Sequence, residues 1–94
     1  MIKYLEKDFE KEISKNKILV DFYADWCGPC RMMGEVLEEL NDIDILKVNV
    51  DNFPAIAQQY GVMSIPTLIL FENGEIKKTN VGFLDTDGIN EFIK

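Results

Sequence analysis

The segment Trp26-Cys27-Gly28-Pro29-Cys30 decides how this 94-residue sequence is interpreted, because it lies between a strand pattern and a helix pattern. Residues 17–23 (KILVDFY) precede it and are almost continuously bulky, which is typical of a strand covered on both faces. Residues 30–40 follow it and carry apolar side chains at helical spacing, namely Met33, Val36, Leu37 and Leu40. The two cysteines are therefore predicted to flank a strand-to-helix turn.

This placement of the two cysteines predicts thiol chemistry. A bridge between Cys27 and Cys30 closes so short a loop that it constrains the unfolded chain very little. A thiol at a helix N-terminus meets unpaired backbone N–H groups and the positive end of the helix dipole, and both favour the thiolate. We therefore expect Cys27 to be an exposed nucleophile and Cys30, one turn further along, to be a shielded resolving thiol. Gly28 and Pro29 keep the turn between them tight.

Two other interpretations of the cysteines are open at this stage. They are the only two in the chain, and they also fit a pair of inert core thiols or half of a metal site shared between two chains. A four-ligand zinc site within one chain would have to be built from carboxylates, because the sequence has no histidine. We therefore expect no bound metal.

The remaining segments alternate between strand and helix patterns. Strands are predicted at 2–5, 45–50, 67–72 and 75–81, and helices at 7–15, at 54–60 and after Thr86 as an N-cap. Asn73-Gly74 between the last two strands is a strong hairpin signal. The order β-α-β-α-β-α-β-β-α predicts an α/β fold with a mixed central sheet, parallel in its N-terminal part and closed by an antiparallel hairpin. Helices are expected on both faces, in one domain spanning residues 1–94.

Composition and charge exclude several classes of function. The chain has 10 Lys and Arg against 17 Asp and Glu, a formal net charge of −7, so nucleic acid and anionic membranes would repel it. No apolar run is long enough for a membrane span, and the charged N-terminus does not resemble a signal peptide. These features predict a cytoplasmic, reducing environment.

Asp21 and Trp26, which lie near the cysteines in the sequence, are candidate functional residues. Asp21 interrupts the apolar strand at 17–23, and burial there would raise the pKa of its carboxyl and make it a proton carrier. The alternative is a solvated aspartate on an edge strand. Trp26 is expected to form an apolar contact surface together with Val62, Met63 and Ile65, since exposed apolar patches mark contacts.

The sequence resembles the thioredoxin family over nearly its whole length. The resemblance is carried by residues 20–32 (VDFYADWCGPCRM) and by residues 47–51 (KVNVD), followed by Tyr60-Gly61-Val62, Ile65-Pro66-Thr67, Phe71-Glu72-Asn73-Gly74 and Val81-Gly82. It implies the thioredoxin fold and a protein-disulfide reductase. It also implies disulfide-containing protein substrates and recycling by a flavin-dependent thioredoxin reductase. No bound cofactor is expected, because the dithiol carries both electrons, and a monomer is expected.

The resemblance also implies roles for individual residues. The bond between Ile65 and Pro66 is expected to be cis and to face the dithiol, with the Ile65 backbone free to pair with an extended substrate segment. Gly82 resembles the glycine beside the substrate groove, to which Trp26, Gly28 and Pro29 also belong. Asp21 resembles the residue that assists deprotonation of Cys30. Lys47 resembles the lysine near that carboxylate.

The sequence departs from the family pattern in two places and leaves other functions open. Glu35 stands where relatives usually have a helix-kinking proline, which leaves Gly34 as the weak point of that helix. Tyr23 stands where many relatives have a second tryptophan. An oxidant or isomerase on the same fold, and a binding module that uses its apolar rim without turnover, are the alternatives to the reductase.

Overall fold

The computed structural model describes residues 1–94 as five strands and four helices in the predicted order. The strands are β1 (Ile2–Tyr4), β2 (Lys17–Tyr23), β3 (Asp44–Asn49), β4 (Thr67–Glu72) and β5 (Glu75–Val81). The helices are α1 (Phe9–Ile13), α2 (Gly28–Glu38), α3 (Pro54–Gln59) and α4 (Thr86–Phe92). None of these helices combines the length and the apolar character needed to cross a lipid bilayer.

The five strands form one mixed sheet in the order β1-β3-β2-β4-β5. β3 pairs in parallel with both β1 and β2, as expected for strands joined by helical crossovers. β4 pairs antiparallel with β2 and with β5, so the predicted C-terminal hairpin is confirmed. β2 is the central strand. The predicted α/β architecture with a mixed sheet is therefore confirmed.

Alternation along β2 divides the apolar core into two layers. Ile18, Val20 and Phe22 face the side covered by α1 and α3, where they pack with Phe9 of α1. Leu19, on the opposite face of the same strand, packs with side chains of α2 and α4 and of the residue after α4: Met33, Leu37, Ile89 and Ile93. Because helices cover both faces, β2 is buried from Ile18 to Phe22.

The hairpin between β4 and β5 has the backbone that its sequence predicts. Asn73 and Gly74 have φ angles of 53° and 83°, the left-handed region that two-residue hairpin turns require. Gly74 adopts this region without the steric cost that a side chain would bring. The antiparallel register next to the turn therefore follows from local chemistry, and a register shift between Leu70 and Phe71 changes it further along the strands.

Several predicted element boundaries differ from the structure by one or two residues, and three of them concern the starts of helices. The first helix covers Phe9–Ile13 and not 7–15, because Asp8 has a left-handed φ of 57° and cannot continue it. α2 begins at Gly28 and not at Cys30. Pro29 fits the first turn of the helix, because the N–H groups of that turn have no partner within the helix and the N–H that proline lacks is not missed there. α4 has Asp85, and not Thr86, as its N-cap. The Asp85 carboxylate accepts a hydrogen bond from the Gly88 N–H at 2.8 Å, a charge-assisted cap.

This cap makes a prediction about stability. Asp85→Ala should lower the free energy of unfolding by about 1 kcal/mol, because the Gly88 N–H loses its acceptor. Thr86→Ala, one residue further along, should change it by less than about 0.5 kcal/mol. Urea denaturation of the two variants measures both values. A larger loss for Thr86→Ala than for Asp85→Ala would contradict the assignment.

Candidate active site

Cys27 and Cys30 form a disulfide at the N-terminus of α2. Cys27 is the N-cap residue, with extended backbone, and Cys30 lies in the first turn, so the two Cα atoms are 5.2 Å apart. The Sγ atom of Cys27 accepts a hydrogen bond from the backbone N–H of Cys30 at 3.2 Å. The sulphur of Cys27 therefore takes the place of a capping oxygen, at the end of the helix that favours negative charge.

The expected difference in exposure between the two cysteines is wrong for the disulfide state. Only 5% of Cys27 and 2% of Cys30 is exposed, and both pack against Ala24. The partly buried side chains of Tyr23 and Ile65 close over this cluster. What distinguishes the two sulphurs is their position on the helix. The sulphur of Cys27 meets the free N–H groups, whereas Cys30 lies within the first turn.

A groove of backbone borders the disulfide. The Ile65–Pro66 peptide bond is cis, as the resemblance implies. The Ile65 carbonyl oxygen lies 3.8 Å from the Cys27 Sγ, and no backbone group of the protein pairs with the N–H or the C=O of Ile65. Gly82 donates its N–H to the Pro66 carbonyl oxygen at 2.8 Å. Its φ of 105° favours glycine, and an added Cβ there would meet no atom within 4 Å.

The rim of the groove exposes apolar side chains. Trp26 is 69% exposed and Met63 is 95% exposed, while Val62 and Ile65 are partly buried. That these four side chains form one contact surface stays a prediction. Gly28 is partly buried and Pro29 is exposed, so the turn between the cysteines also faces outward.

Asp51 is a residue of this rim that the sequence analysis missed. The Nε1 of Trp26 donates a hydrogen bond to the Oδ2 of Asp51 at 2.9 Å. The backbone N–H of Asp51 in turn donates to the Oδ1 of Asn49, the last residue of β3, at 2.9 Å. The parallel pairing of β2 and β3 was the available signal, because it brings the residues after both strands to the same edge of the sheet.

Asp21 and Lys47 form a buried pair beneath α2. Asp21 is fully buried on β2, and its register partner on β3 is Lys47, which is 8% exposed. The Lys47 Nζ lies 3.5 Å from the Asp21 Oδ2, and neither carboxylate oxygen accepts a hydrogen bond. Burial raises the pKa of Asp21 from 3.8 to about 6, although the Lys47 charge acts in the opposite direction. The alternative of a solvated edge aspartate is wrong.

A cavity of about 280 Å³ lies between Lys47 of this pair and Cys30 of the dithiol. Cys30 and Lys47 both line it, together with Gly34 and Glu38 of α2. Asp21 itself does not line the cavity, so Lys47 is the member of the pair that shares this space with Cys30. No group of three histidine, cysteine or carboxylate side chains in the structure is placed to hold a metal ion.

Comparison with known proteins agrees with this geometry. The sequence model of the thioredoxin family matches residues 1–94. The chain is 41% identical over 98 residues to thioredoxin of Bacillus subtilis, a match that covers 99% of this chain and 94% of that protein. It is 43% identical over 95 residues to thioredoxin of Rickettsia bellii, which covers 94% of this chain and 90% of the relative.

Solved structures give the same result. A mutant thioredoxin from Halobacterium salinarum superposes with a TM-score of 0.90 at 39% identity, covering 98% of this chain and 87% of that one. Thioredoxin of Malassezia sympodialis superposes with a TM-score of 0.87 at 32% identity, covering 98% and 89%. The chain thus belongs to the thioredoxin family and is a thiol-disulfide oxidoreductase, a disulfide reductase whose redox-active pair is Cys27 and Cys30.

Proposed function

We propose that Cys27 attacks the substrate disulfide and that Cys30 resolves the product. The Cys27 thiolate forms a bond to one substrate sulphur, and the second substrate sulphur leaves as a thiolate. The Cys30 thiolate then attacks the Sγ of Cys27 and releases the first substrate sulphur, so two electrons have passed to the substrate. The observation that carries this order is the N–H of Cys30 donating to the Sγ of Cys27, because this contact stabilises a thiolate at Cys27.

Asp21 is the proposed acceptor for the proton that Cys30 must lose. A carboxylate with a pKa of about 6 is mostly ionised at neutral pH and is basic enough to take a thiol proton. The proposed route runs past Lys47, the partner of Asp21, which lines the same cavity as Cys30. Lys47 is proposed to hold the pKa of Asp21 below the value that burial alone would give.

The substrate segment is proposed to lie extended along Ile65. Its backbone would pair with the free N–H and C=O of Ile65, as an added strand pairs with a sheet edge. Gly82 leaves room for it, since no protein atom occupies the space where a Cβ would project. Trp26 and Met63 would provide apolar contacts, with Gly28 and Pro29 facing the attacked disulfide.

The physiological setting is a separate part of the proposal. We propose that the substrates are disulfide-containing proteins and that a flavin-dependent thioredoxin reductase restores the dithiol. We also propose that residues 1–94 act as one domain and one monomer in the cytoplasm, where thiols are kept reduced. Membership of the thioredoxin family and the net charge of −7, which disfavours nucleic acid and anionic membranes, support this setting.

The two cysteines should fail in different ways when substituted. Cys27→Ser should abolish reduction of insulin disulfides, because no attacking thiolate is left. Cys30→Ser should attack the substrate but stop at the mixed disulfide, which accumulates on Cys27. Turnover assays and intact-mass spectrometry measure the two outcomes. Mixed disulfides held on Cys30 in the Cys27→Ser variant, with none on Cys27 in the other, would reverse the proposed order.

Gly82 offers a test of the groove with a matched control. Gly82→Ala and Gly61→Ala both place a side chain at positive φ, 105° and 68° respectively, with open space around it. Each should lower the free energy of unfolding by about 1–2 kcal/mol. Only Gly82→Ala should raise the KM for a protein disulfide severalfold, because only Gly82 adjoins Pro66. Reduction of a small aromatic disulfide should be equal in both. An unchanged KM for Gly82→Ala would contradict the proposed path of the substrate.

Stability and turnover should move in opposite directions when Asp21 is replaced. The pKa of Asp21 is higher in the folded chain than in the unfolded chain, so its protonated form stabilises the fold below pH 4. That contribution, about 3 kcal/mol, is lost as the pH rises to 6 and beyond. Asp21→Asn should therefore be more stable than the unsubstituted protein at pH 8, with the difference shrinking toward pH 4.

The same variant should turn over more slowly, because Cys30 loses its proton acceptor. Urea midpoints of the oxidised forms at pH 4, 6 and 8 give the stability profile, and insulin reduction gives the turnover. Asp25→Asn, at an exposed position, controls for the loss of one negative charge. A protein that is more stable than its Asp21→Asn variant at pH 8 would mean that pairing with Lys47 outweighs burial.

A further inference from the structure

The Lys47 ammonium group lies beside two aromatic rings and the Asp21 carboxylate. Its Nζ lies 4.5 Å from the centre of the Tyr23 ring and 5.7 Å from the centre of the Tyr4 ring. Both distances are within the range in which a cation is attracted to a ring face. The carboxylate of Asp21, at 3.5 Å, is further away than in a short charge-assisted hydrogen bond.

The two rings are held in place by the strand register. Tyr4 of β1 is the register partner of Lys47 on one side, and Asp21 of β2 is its register partner on the other. Tyr23 follows Asp21 by two residues and points to the same face of the sheet. The Tyr4 and Tyr23 rings meet edge to face, with centroids 6.2 Å apart and planes at 77°. Each ring therefore supports the other beside the cation.

Gly34 of α2 leaves the space that the ammonium group occupies. A Cβ added at Gly34 would lie 3.3 Å from the Lys47 Nζ, closer than most such contacts in proteins. The Lys47 ammonium group thus fits between Gly34 of α2, which has no side chain, and the rings of Tyr4 and Tyr23. Displacing either ring would free the flexible lysine side chain to turn toward solvent through the cavity.

We propose that Tyr23, supported by Tyr4, is a positioning residue that holds the Lys47 ammonium group beside Asp21 by cation–ring attraction. The Tyr23 side chain packs beside the cluster of Ala24, Cys27 and Cys30, and its ring takes part in no bond that forms or breaks in the proposed reaction. Its effect on turnover rests on the proposed role of Asp21 as the proton acceptor for Cys30. Its effect on the Asp21–Lys47 pair itself does not depend on that role.

The other ionisable groups around the cavity do not replace this arrangement. Asp25 precedes Trp26, and Arg31, Glu35 and Glu38 lie on α2 above the pair. All four are exposed, so water and salt screen their charges. Burial, helped by the nearby Asp25 charge, raises the pKa of Tyr23 above its usual value near 10, so its ring stays a neutral phenol from pH 4 to pH 9. The charge of Tyr23 therefore does not change while Asp21 titrates in that range.

The sign of the expected effect follows from Coulomb's law. The positive charge of Lys47 lowers the pKa of Asp21, so a lysine that moves away lets that pKa rise. Tyr23→Leu removes the ring and keeps an apolar side chain of similar bulk. Tyr23→Phe keeps the ring face and is the matched control, and Tyr4→Leu removes only the more distant ring.

The test is a double-mutant cycle on the oxidised protein, read by the 13C chemical shift of the Asp21 carboxyl between pH 4 and pH 9. The unsubstituted protein should titrate near pH 6. Tyr23→Leu should raise the midpoint by about half a pH unit, Tyr4→Leu by less, and Tyr23→Phe should leave it in place. Lys47→Met should raise it further. Adding Tyr23→Leu to Lys47→Met should then produce no additional shift.

Several results would overturn the proposal. They are an unchanged midpoint in Tyr23→Leu, an unchanged midpoint in Lys47→Met, or a Tyr23→Leu shift that persists when Lys47 is already methionine. The last would mean that the ring acts by excluding water. Tyr4→Leu gives an independent reading if Tyr23→Leu does not fold. Turnover of Asp21→Asn equal to that of the unsubstituted protein would instead refute the proton-acceptor role, and the titration cycle would still decide whether Tyr23 positions Lys47.

Discussion

The central position of β2 in the sheet is the constraint on which the rest of the structure depends. β3 and β4 pair with its two edges, and helices cover its two faces. The side chains from Ile18 to Phe22 are buried, so the single carboxylate on β2, that of Asp21, is fully desolvated. The same strand ends at Tyr23, and the short turn after it places Cys27 at the start of α2. One strand therefore determines both the position of the dithiol and the raised pKa of the Asp21 carboxyl beneath it.

The two sulphurs depend on different sources of electrostatic stabilisation. A thiolate at Cys27 is favoured by the N-terminus of α2. There the backbone N–H of Cys30 donates to the Cys27 Sγ, and the helix dipole contributes about 0.3–1 kcal/mol. Cys30 lies inside the first turn, and its proposed base is the buried carboxylate of Asp21, whose partner Lys47 lines the same cavity as Cys30. This division suits a sequential reaction, because the first thiol must be ionised before the substrate arrives. The second needs to lose its proton only after the mixed disulfide has formed.

The fold and the centre of the site could be predicted from the sequence because their signals are local. The apolar run at 17–23, the helical spacing after it and the Asn73-Gly74 turn each determine their own conformation. The parts that could not be predicted depend on contacts between distant segments. Tyr4 lies 43 positions before Lys47, and only the parallel register of β1 and β3 brings them together. The hydrogen bond from Trp26 to Asp51 and the burial of Cys27 under Ile65 depend on packing in the same way.

The central claim is that the dithiol and the buried carboxylate titrate as one coupled system. It is tested most directly by the 13Cβ chemical shift of Cys30 in the reduced protein, followed against pH in the unsubstituted protein and in Asp21→Asn. Because interacting groups share their titration steps, the account predicts two steps at Cys30 in the unsubstituted protein. In Asp21→Asn the step shared with Asp21 should disappear, and the Cys27 thiol is the group that is left to couple with Cys30. Identical titration curves for the two proteins would show that Cys30 loses its proton independently of Asp21, and would contradict the account.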